Sequence, residues 1–480
     1  MGHLADRIYA HSPVWAQQLA INVYGWYRAR RRLGPVFERT WRAYVDRESW
    51  PADRMNEFVE GQLREQVQRA YREVPHYRKA FRDHGLTEEQ LERFSSRDLL
   101  KLPLLDRQIL RTNAEALLTE SAAKSPPEVF STSGTTGTPA RIYWDTETHQ
   151  HNIAVREARS LRWAGVSYRD PRATIGLRRV VPKAHSQPPF WRYNRWESQV
   201  YLSAFHISPT NVLDYVQALN RFRPVYLEGF ATACYFLASC IAERGLTPHR
   251  PRAIITGSEA LRPEMRTVVE SVFHSRAYEE YGAVENCTLA TECERGSLHV
   301  HQDFGYLELI RPDGKPAGPG EIGEVVGTGF ANRNQIFIRY RLGDLAMWDQ
   351  NPCLCGRSTL PTLRAVVGRL EDTVVLADGR RMAYLDFLFK QLPGIVEGQV
   401  IQEELDRFVV NVLPSGSYSQ ADEEEIRQRA AQRLGPEIKL EIRKLSAIPR
   451  EPNGKLRLVI SRVADKPATG FVSYDGGEKT

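Results

Sequence analysis

The sequence predicts an α/β protein with a large N-terminal domain of mainly parallel sheets, a small antiparallel β subdomain, and a small α+β C-terminal domain. With 480 residues, the chain is too long for one ordinary hydrophobic core. Strands such as 225–227 and 253–255 alternate with helices near 211–221 and 231–244, which is typical of a parallel sheet. Closely spaced strands joined by Pro/Gly turns favour the antiparallel subdomain, and they lie around 306–310, 324–328 and 335–339.

Four segments follow one another along the chain. Residues 1–110 are expected to be a helical extension packed on the large domain, because Val59, Leu63 and Val67 repeat at helical spacing. The large domain is predicted to cover 111–368, and the polar, Gly-rich residues 466–480 to form a flexible tail. The small C-terminal domain is predicted over 369–465, with strands near 373–377, 396–402, 407–413 and 438–443 and helices near 383–391 and 420–433.

The composition is that of a globular protein, with 42% hydrophobic and 26% charged residues. A formal net charge of +6 is small for this length, so it suits anionic small molecules and does not indicate a nucleic-acid partner. Six cysteines in a long chain, without a signal peptide or an apolar run that could span a bilayer, predict a cytoplasmic protein.

One N-terminal segment leaves two interpretations open. Residues 13–32 combine apolar and aromatic side chains with a cluster of arginines. Such a helix can lie weakly on a membrane surface, or its apolar side can pack against the body of the enzyme, which is the commoner arrangement.

The strongest local motif is a loop rich in hydroxyls and glycines, followed by the strand-like run 141–144. It contains Thr132, Ser133, Gly134, Thr135, Thr136 and Gly137. Glycines allow a backbone to wrap closely around an anion, and N–H and hydroxyl groups donate hydrogen bonds to phosphate oxygens. The loop lacks the Gly-Lys-Ser/Thr of a Walker motif.

This loop resembles the signature of the adenylate-forming superfamily, which includes acyl-CoA synthetases, adenylation domains and luciferases. Further motifs resembling that family occur in its order: Thr256-Gly257-Ser258-Glu259, Tyr281-Gly282-Ala283-Val284-Glu285, Tyr340-Arg341-Leu342-Gly343-Asp344, Gly368-Arg369-Leu370-Glu371-Asp372 and Pro449-Arg450-Glu451-Pro452-Asn453-Gly454-Lys455. The chain departs from the family in having Thr138 where a lysine is usual and Val284 where a threonine is usual.

A finer resemblance points to the phenylacetate–CoA ligase branch and its CapK-like subgroup. It is carried by Tyr9-Ala10-His11-Ser12-Pro13-Val14-Trp15, Pro189-Phe190-Trp191-Arg192 and Leu202-Ser203-Ala204-Phe205-His206. The resemblance implies use of ATP and Mg²⁺, activation of a small carboxylic acid, and transfer to CoA. An amine or hydroxyl acceptor and a non-catalytic scaffold are the alternatives. Aromatic side chains at 190, 191, 193 and 230 make an aromatic acid one candidate, although core roles are commoner for such residues.

The resemblance also implies roles for individual residues. The loop residues 132–137 would hold phosphates, Ser258, Glu259, Tyr281 and Gly282 would line the nucleotide, and Asp344 would accept the ribose hydroxyls. Glu285 would bind Mg²⁺. Arg369 would contact ribose or phosphate, Lys455 would stabilise charge growing in the transition state, and Glu371 would be the hinge of a mobile C-terminal domain.

A second constellation has the composition of a structural zinc site. Cys353 and Cys355 form a knuckle, and Cys293 and His299 lie upstream. Three thiolates and one imidazole make a closed tetrahedral site. His301 is an alternative ligand, because on a strand it would share a face with His299.

Overall fold

The computed structural model of the protein describes residues 3–131, 140–176, 180–182, 185–383, 385–389, 392, 394–449, 456–463 and 469–472. The N-terminal region is helical, as predicted. Its helices are α1 (His3–His11), α2 (Val14–Arg32), α3 (Pro35–Arg47), α4 (Ala52–Glu73), α5 (Pro75–Asp83), α6 (Glu88–Glu92), α7 (Arg107–Thr112) and α8 (Glu120–Lys124), with 3-10 helices at Ser96–Lys101 and Ala114–Leu117. A two-stranded ribbon of β1 (Glu128–Ser131) and β2 (Arg141–Trp144) flanks the predicted phosphate loop.

A twelve-stranded sheet forms the centre of the large domain. Its strands are β3 (Arg172–Ile175), β4 (Trp191–Asn194), β5 (Gln199–Leu202), β6 (Tyr226–Phe230), β7 (Ala253–Gly257), β8 (Arg276–Gly282), β9 (Leu289–Glu292), β10 (Leu298–Val300), β11 (Gly305–Ile310), β12 (Ile322–Gly329), β13 (Tyr340–Trp348) and β14 (Thr362–Arg369). Their order is β11-β12-β13-β14-β10-β9-β8-β7-β6-β3-β5-β4. Strands β8, β7, β6, β3 and β5 are mutually parallel, and the strands from β11 to β9 are antiparallel. The predicted antiparallel strands therefore continue the parallel sheet.

Helices cover the parallel half of this sheet. They are α9 (Thr146–Arg156), which runs into a π-helical turn at Glu157–Leu161, α10 (Val212–Phe222), α11 (Ala231–Glu243) and α12 (Pro263–Phe273), with a 3-10 helix at Ala204–His206. Buried apolar residues of β5, β6 and β7 pack against α10, α11 and α12, which gives this half a continuous core.

The C-terminal region has a core of its own. A four-stranded sheet in the order β19-β18-β17-β20 packs against one long helix. The elements are β15 (Val374–Val375), β16 (Arg381–Met382), β17 (Ile395–Gln402), β18 (Arg407–Pro414), α13 (Gln420–Leu434), β19 (Lys439–Lys444) and β20 (Val459–Ser461), with 3-10 helices at Leu370–Asp372 and Asp386–Leu388. The α/β fold class with an α+β C-terminal unit is confirmed, whereas the predicted domain boundaries stay predictions.

Two predicted elements were wrong in detail. The strand expected at 335–339 is absent there: Gln335 forms an isolated bridge, and β13 begins only at Tyr340. Arg339 explains the late start, because its positive φ of 47° breaks extended pairing while its buried guanidinium bonds Glu308 at 3.0 Å. The helix expected near 383–391 is, within described residues 385–389, a single 3-10 turn.

Candidate active site

Several of the predicted nucleotide-binding residues lie at the ends of neighbouring strands. Parallel strands β7 and β8 end at Gly257 and Gly282, so that Ser258 and the pair Tyr281-Gly282 emerge at the same edge of the sheet. Ligands of α/β proteins bind at the carboxyl edge of parallel strands. Ser258 adopts a left-handed backbone with φ 65°, which marks a tight turn directly after β7.

Asp344 lies where β13 meets the end of β14. The antiparallel register pairs Asp344 directly with Arg369, and Arg369 Nε lies 3.8 Å from Asp344 Oδ1. The hydroxyl of Tyr281 donates to Asp344 Oδ2 at 2.9 Å. Burial raises the pKa of Asp344, while the positive charge of Arg369 opposes that rise. Residues from β8, β13 and β14 thus converge around one carboxylate.

Glu285 follows β8 and faces the same region. Tyr340 at the start of β13 donates its hydroxyl hydrogen to Glu285 Oε1 at 3.2 Å. Burial raises the pKa of Glu285, and Arg107 lowers it by its positive charge. Trp144 at the end of β2 donates its indole N–H to the Val284 carbonyl at 3.1 Å, which ties the ribbon beside the phosphate loop to the Glu285 turn.

Arg107 is a residue of this site that the sequence analysis missed. It is the first residue of α7, and its Nη1 donates to Glu371 Oε1 at 3.3 Å. The Leu105 N–H bonds the Arg339 carbonyl at 2.9 Å, which fixes this segment beside β13. Gly343 has a left-handed backbone with φ 75°, which favours glycine, and a Cβ there would lie 2.6 Å from Arg107 Nη1 and push the guanidinium aside. No local motif marks Arg107, because it reaches the site only through tertiary pairing.

Glu259 has a scaffold contact in the structure. Its Oε2 accepts hydrogen bonds from the Thr232 N–H at 3.1 Å and from the Thr232 hydroxyl at 2.5 Å, at the N-terminus of α11. An acidic side chain is favourable at a helix N-terminus. The carboxylate therefore joins the turn after β7 to the start of α11.

Glu371 lies in the 3-10 turn that links β14 to the C-terminal region. Arg457 donates to the Glu371 carbonyl at 3.0 Å and, through Nε, to Asp372 Oδ1 at 2.6 Å. Arg457 stands two positions after Lys455 in the sequence, and its contacts join residue 457 to the linker. Lys455 itself and the loop residues 132–137 lie outside the described residues.

The predicted metal ligands come together in space. The candidate ligand atoms of Cys293, His299, Cys353 and Cys355 all lie within 4.8 Å of one another. The Cys293 and Cys353 sulfurs are 3.7 Å apart, and His299 Nε2 is 3.3 Å from the Cys355 sulfur. Two sulfurs bound at about 2.3 Å to one tetrahedral metal would be about 3.8 Å apart, so this spacing fits zinc.

The two histidines have different partners. His299 Nδ1 donates to the Leu360 carbonyl at 3.0 Å, leaving Nε2 directed at the cluster. The ring nitrogens of His301 bond Arg159 at 2.9 Å and Thr291 at 2.8 Å. A histidine ligand commonly uses its second nitrogen to bond a backbone carbonyl. The geometry therefore favours His299 over His301.

Comparisons with known proteins agree with this architecture. Residues 378–462 match the CapK C-terminal domain family. Protein CapK of Staphylococcus aureus is 24% identical over 76% of this chain and 80% of its own length. Phenylacetate-coenzyme A ligase of Thermus thermophilus is 23% identical, covering 86% of this chain and 98% of its own. A crystal structure of 2-hydroxyisobutyryl-CoA ligase in the postadenylation state aligns with a TM-score of 0.66 at 22% identity, over 86% of this chain and 91% of that one, and thus shares the fold.

Proposed function

We propose that this chain belongs with CapK and the phenylacetate–CoA ligases in the adenylate-forming superfamily, and that it activates a small carboxylic acid with ATP and Mg²⁺ and then transfers the acyl group to CoA. The main observation in support of this proposal is that Asp344, Glu285 and Arg369 converge with two tyrosine hydroxyls at one edge of the sheet.

In the first half-reaction a carboxylate oxygen bonds to the α-phosphorus of ATP, the bond from that phosphorus to the bridging oxygen breaks, and pyrophosphate leaves. Both reactants are anions, so catalysis depends on positioning and charge stabilisation. Asp344 suits the ribose because its two oxygens can accept from a vicinal diol. Arg369 beside it supplies a cation for ribose or phosphate, and Lys455 would stabilise the charge that develops at the α-phosphate.

Glu285 fits the magnesium role. Its carboxylate supplies hard oxygen ligands, and one oxygen is oriented by the Tyr340 hydroxyl. Mg²⁺ when bound would neutralise phosphate charge. Ser258, Tyr281 and Gly282 would line the nucleotide, residues 132–137 would hold its phosphates, and Glu259 would stabilise the turn that presents Ser258.

In the second half-reaction the CoA sulfur bonds to the acyl carbon, the acyl–phosphate bond breaks, and AMP leaves while the thiol proton passes to solvent. Only Phe230 among the aromatic candidates ends a parallel strand at the site edge; Trp191 and Tyr193 pack instead with Phe222. An aromatic acid is therefore only one member of the substrate panel to be tested.

Pyrophosphate exchange tests the proposal directly. ATP–pyrophosphate exchange would be measured against aryl, fatty, hydroxy and amino acids, and CoA consumption would then be followed with any active acid. Asp344→Asn should abolish most exchange, whereas Glu404→Gln, an exposed change in the C-terminal unit, should not. Absence of exchange with every acid would refute the activity. Exchange without CoA consumption would leave adenylation standing and point to another acceptor.

Glu371 is proposed as the hinge. It faces Arg107 on one side and receives Arg457 through its carbonyl on the other, so it lies between the large domain and the C-terminal unit. Glu371→Pro would fix φ at the hinge. We expect adenylation near the wild-type rate with slow transfer to thiol. Equal losses in single-turnover measurements of both steps would contradict the hinge role.

Zinc at Cys293, His299, Cys353 and Cys355 would be structural, because four protein ligands leave no open position. We also propose a cytoplasmic location, which would keep these cysteines reduced and able to bind the metal as thiolates.

A further inference from the structure

Helix α2 packs on the protein with its polar side inward. The buried residues of this helix are Gln17, Gly25, Arg28 and Arg32. Gln17 Oε1 accepts from Arg192 Nε at 3.0 Å, and Arg32 pairs with Glu197 at 2.8 Å. These contacts reverse the usual arrangement, in which the apolar side of a surface helix faces the core.

The neighbouring edge strand explains the reversal. β4 is the last strand of the twelve-stranded sheet, so one row of its backbone groups has no partner strand. Gln18 Oε1 accepts from the Tyr193 N–H at 3.0 Å, and Asn22 Nδ2 donates to the Tyr193 carbonyl at 3.0 Å. Asn22 Oδ1 also accepts from the Arg195 N–H at 3.0 Å. The polar side of α2 therefore satisfies the sheet edge.

The apolar side of α2 is consequently exposed. We call it the α2 outer face; its members are Trp15 (72% exposed), Leu19 (60%), Val23 (60%), Trp26 (40%) and Tyr27 (46%). Successive members are four, four, three and one residues apart, which at about 3.6 residues per turn keeps them on one side of the helix. Ile8 of α1 is also largely exposed. A contiguous apolar patch of this kind on a protein marks an interaction site.

The exposed charges beside this face include the cations Arg30 and Arg195. α2 contains no acidic residue, and of its three C-terminal arginines Arg31 pairs with Glu128 at 3.2 Å and Arg32 with Glu197 at 2.8 Å, which leaves Arg30 as the cation that faces solvent. The exposed Arg30 stacks over the Trp26 ring at 4.3 Å, and the exposed Arg195 follows β4 beside Asn22. Tryptophan and arginine at the rim of an apolar face are the side chains that contact lipid headgroups.

A groove next to the face adds apolar surface. It has a volume of about 890 Å³ and lies between α2, β4 and α10. Its walls include Trp15 and the stacked pair Tyr193 and Phe222, whose ring centroids are 4.4 Å apart. Arg221 at its rim lies over the Phe222 ring at 5.2 Å. An apolar floor with a cationic rim suits an amphiphile with an anionic headgroup.

We propose that the α2 outer face docks this protein on an anionic lipid bilayer, with the helix parallel to the surface. In the part of the chain that the structure describes, no helix is long and apolar enough to cross a membrane. The basic rim favours an anionic bilayer over an uncharged one, because its arginines are attracted only by negatively charged headgroups. The docking depends on α2 and does not require the ligase activity.

Vesicle cosedimentation of the full-length protein tests this. Wild type should bind vesicles of phosphatidylcholine with about one third phosphatidylglycerol, and bind pure phosphatidylcholine at least about tenfold less. The combined change Leu19→Ser, Val23→Ser and Trp26→Ser should lower binding to anionic vesicles by about tenfold or more. Arg30→Glu should weaken binding to anionic vesicles selectively. Leu405→Ser, a change of another exposed leucine, is the matched control and should bind like wild type.

Each outcome decides the proposal. Because the changed residues are exposed, the melting temperature of the triple variant should match wild type, and a folded variant that still binds fully would overturn the assignment. Absence of wild-type binding to anionic vesicles would also overturn it. A wild-type dimer that the triple variant converts to monomer, without vesicle binding, would assign the face to a second copy instead. Pyrophosphate exchange by the triple variant in solution should equal that of wild type, which separates this question from the proposed activity.

Discussion

Replacing Arg107 by alanine should impair adenylation and shift its pH dependence. The guanidinium lies 3.3 Å from Glu371 Oε1, and its charge also lowers the pKa values of Glu285 and Asp344. At that distance an ion pair with an effective dielectric constant of about 20 is worth at most about 5 kcal/mol. Both side chains are partly exposed, so solvent reduces this to about 1–2 kcal/mol. About 1.4 kcal/mol corresponds to a tenfold change in rate.

We therefore expect kcat/KM for ATP to fall about tenfold in Arg107→Ala, since the site loses the Glu371 ion pair and the cation that offsets the charges of Glu285 and Asp344. The sign of the pH effect follows from the same charge. Burial already raises the pKa values of Glu285 and Asp344, and removing a cation raises them further. The acidic limb of the pH–rate profile should then move to higher pH, because the carboxylates ionise later.

Pyrophosphate exchange as a function of pH, in wild type and three variants, measures both effects. Arg107→Lys keeps the charge, so its acidic limb should stay close to that of wild type even if its rate falls. Arg97→Ala, an exposed arginine on the preceding 3-10 helix, is the matched control. An Arg107→Ala profile with an unshifted acidic limb and a rate within about threefold of wild type would refute the reasoning.

Three other predictions concern separate parts of the molecule. Cys353→Ser should lower both the zinc content, expected at about one ion per chain, and the melting temperature; metal analysis of chelator-free protein that finds no zinc in wild type would exclude the site. Burial raises the pKa of Glu279 from 4.5 to about 7, so this carboxyl binds a proton more tightly in the folded state than in the unfolded state. The free energy of unfolding should therefore fall as the pH rises from 4.5 to about 7. The full shift corresponds to about 3 kcal/mol, and partial exposure reduces the expected loss of stability to about 1–2 kcal/mol. In Glu279→Gln this loss should disappear. If urea unfolding gives the same pH dependence of stability for wild type and Glu279→Gln, the prediction is wrong. Lys455→Ala should depress exchange far more than ATP binding, because its contacts form mainly in the transition state, and equal exchange rates would defeat that role.

The sequence predicted those parts of the site that depend on local patterns. β6 and β7 were recognisable as β-branched runs between helices, and Asp344 and Glu285 stand in short motifs whose strand ends the fold brings to one edge. The grouping of the candidate metal ligands was predictable because paired cysteines have a recognisable spacing. The choice between His299 and His301 was not predictable, because it depends on which of the two imidazoles forms hydrogen bonds with Arg159 and Thr291.

Arg107 and the orientation of α2 could not be predicted for a common reason. Helical periodicity shows that a helix has two different sides, but not which side faces the protein. The polar side of α2 faces the protein because the backbone of the edge strand β4 needs hydrogen-bond partners, and the edge position of β4 is a property of the whole sheet. Arg107 reaches the site because the Leu105 backbone pairs with β13, which is far away in the sequence.

The position of β4 also connects the two proposals. β4 ends the sheet on one side, whereas β13 and β14, which carry Asp344 and Arg369, lie toward the other end. A bilayer contacting α2 would therefore approach the large domain at the end remote from Glu371. The C-terminal unit could rotate about that hinge while the large domain stays on the lipid surface. Docking through the edge-covering helix is thus mechanically compatible with a two-step ligase, because the proposed bilayer contact and the proposed hinge use opposite ends of the same sheet.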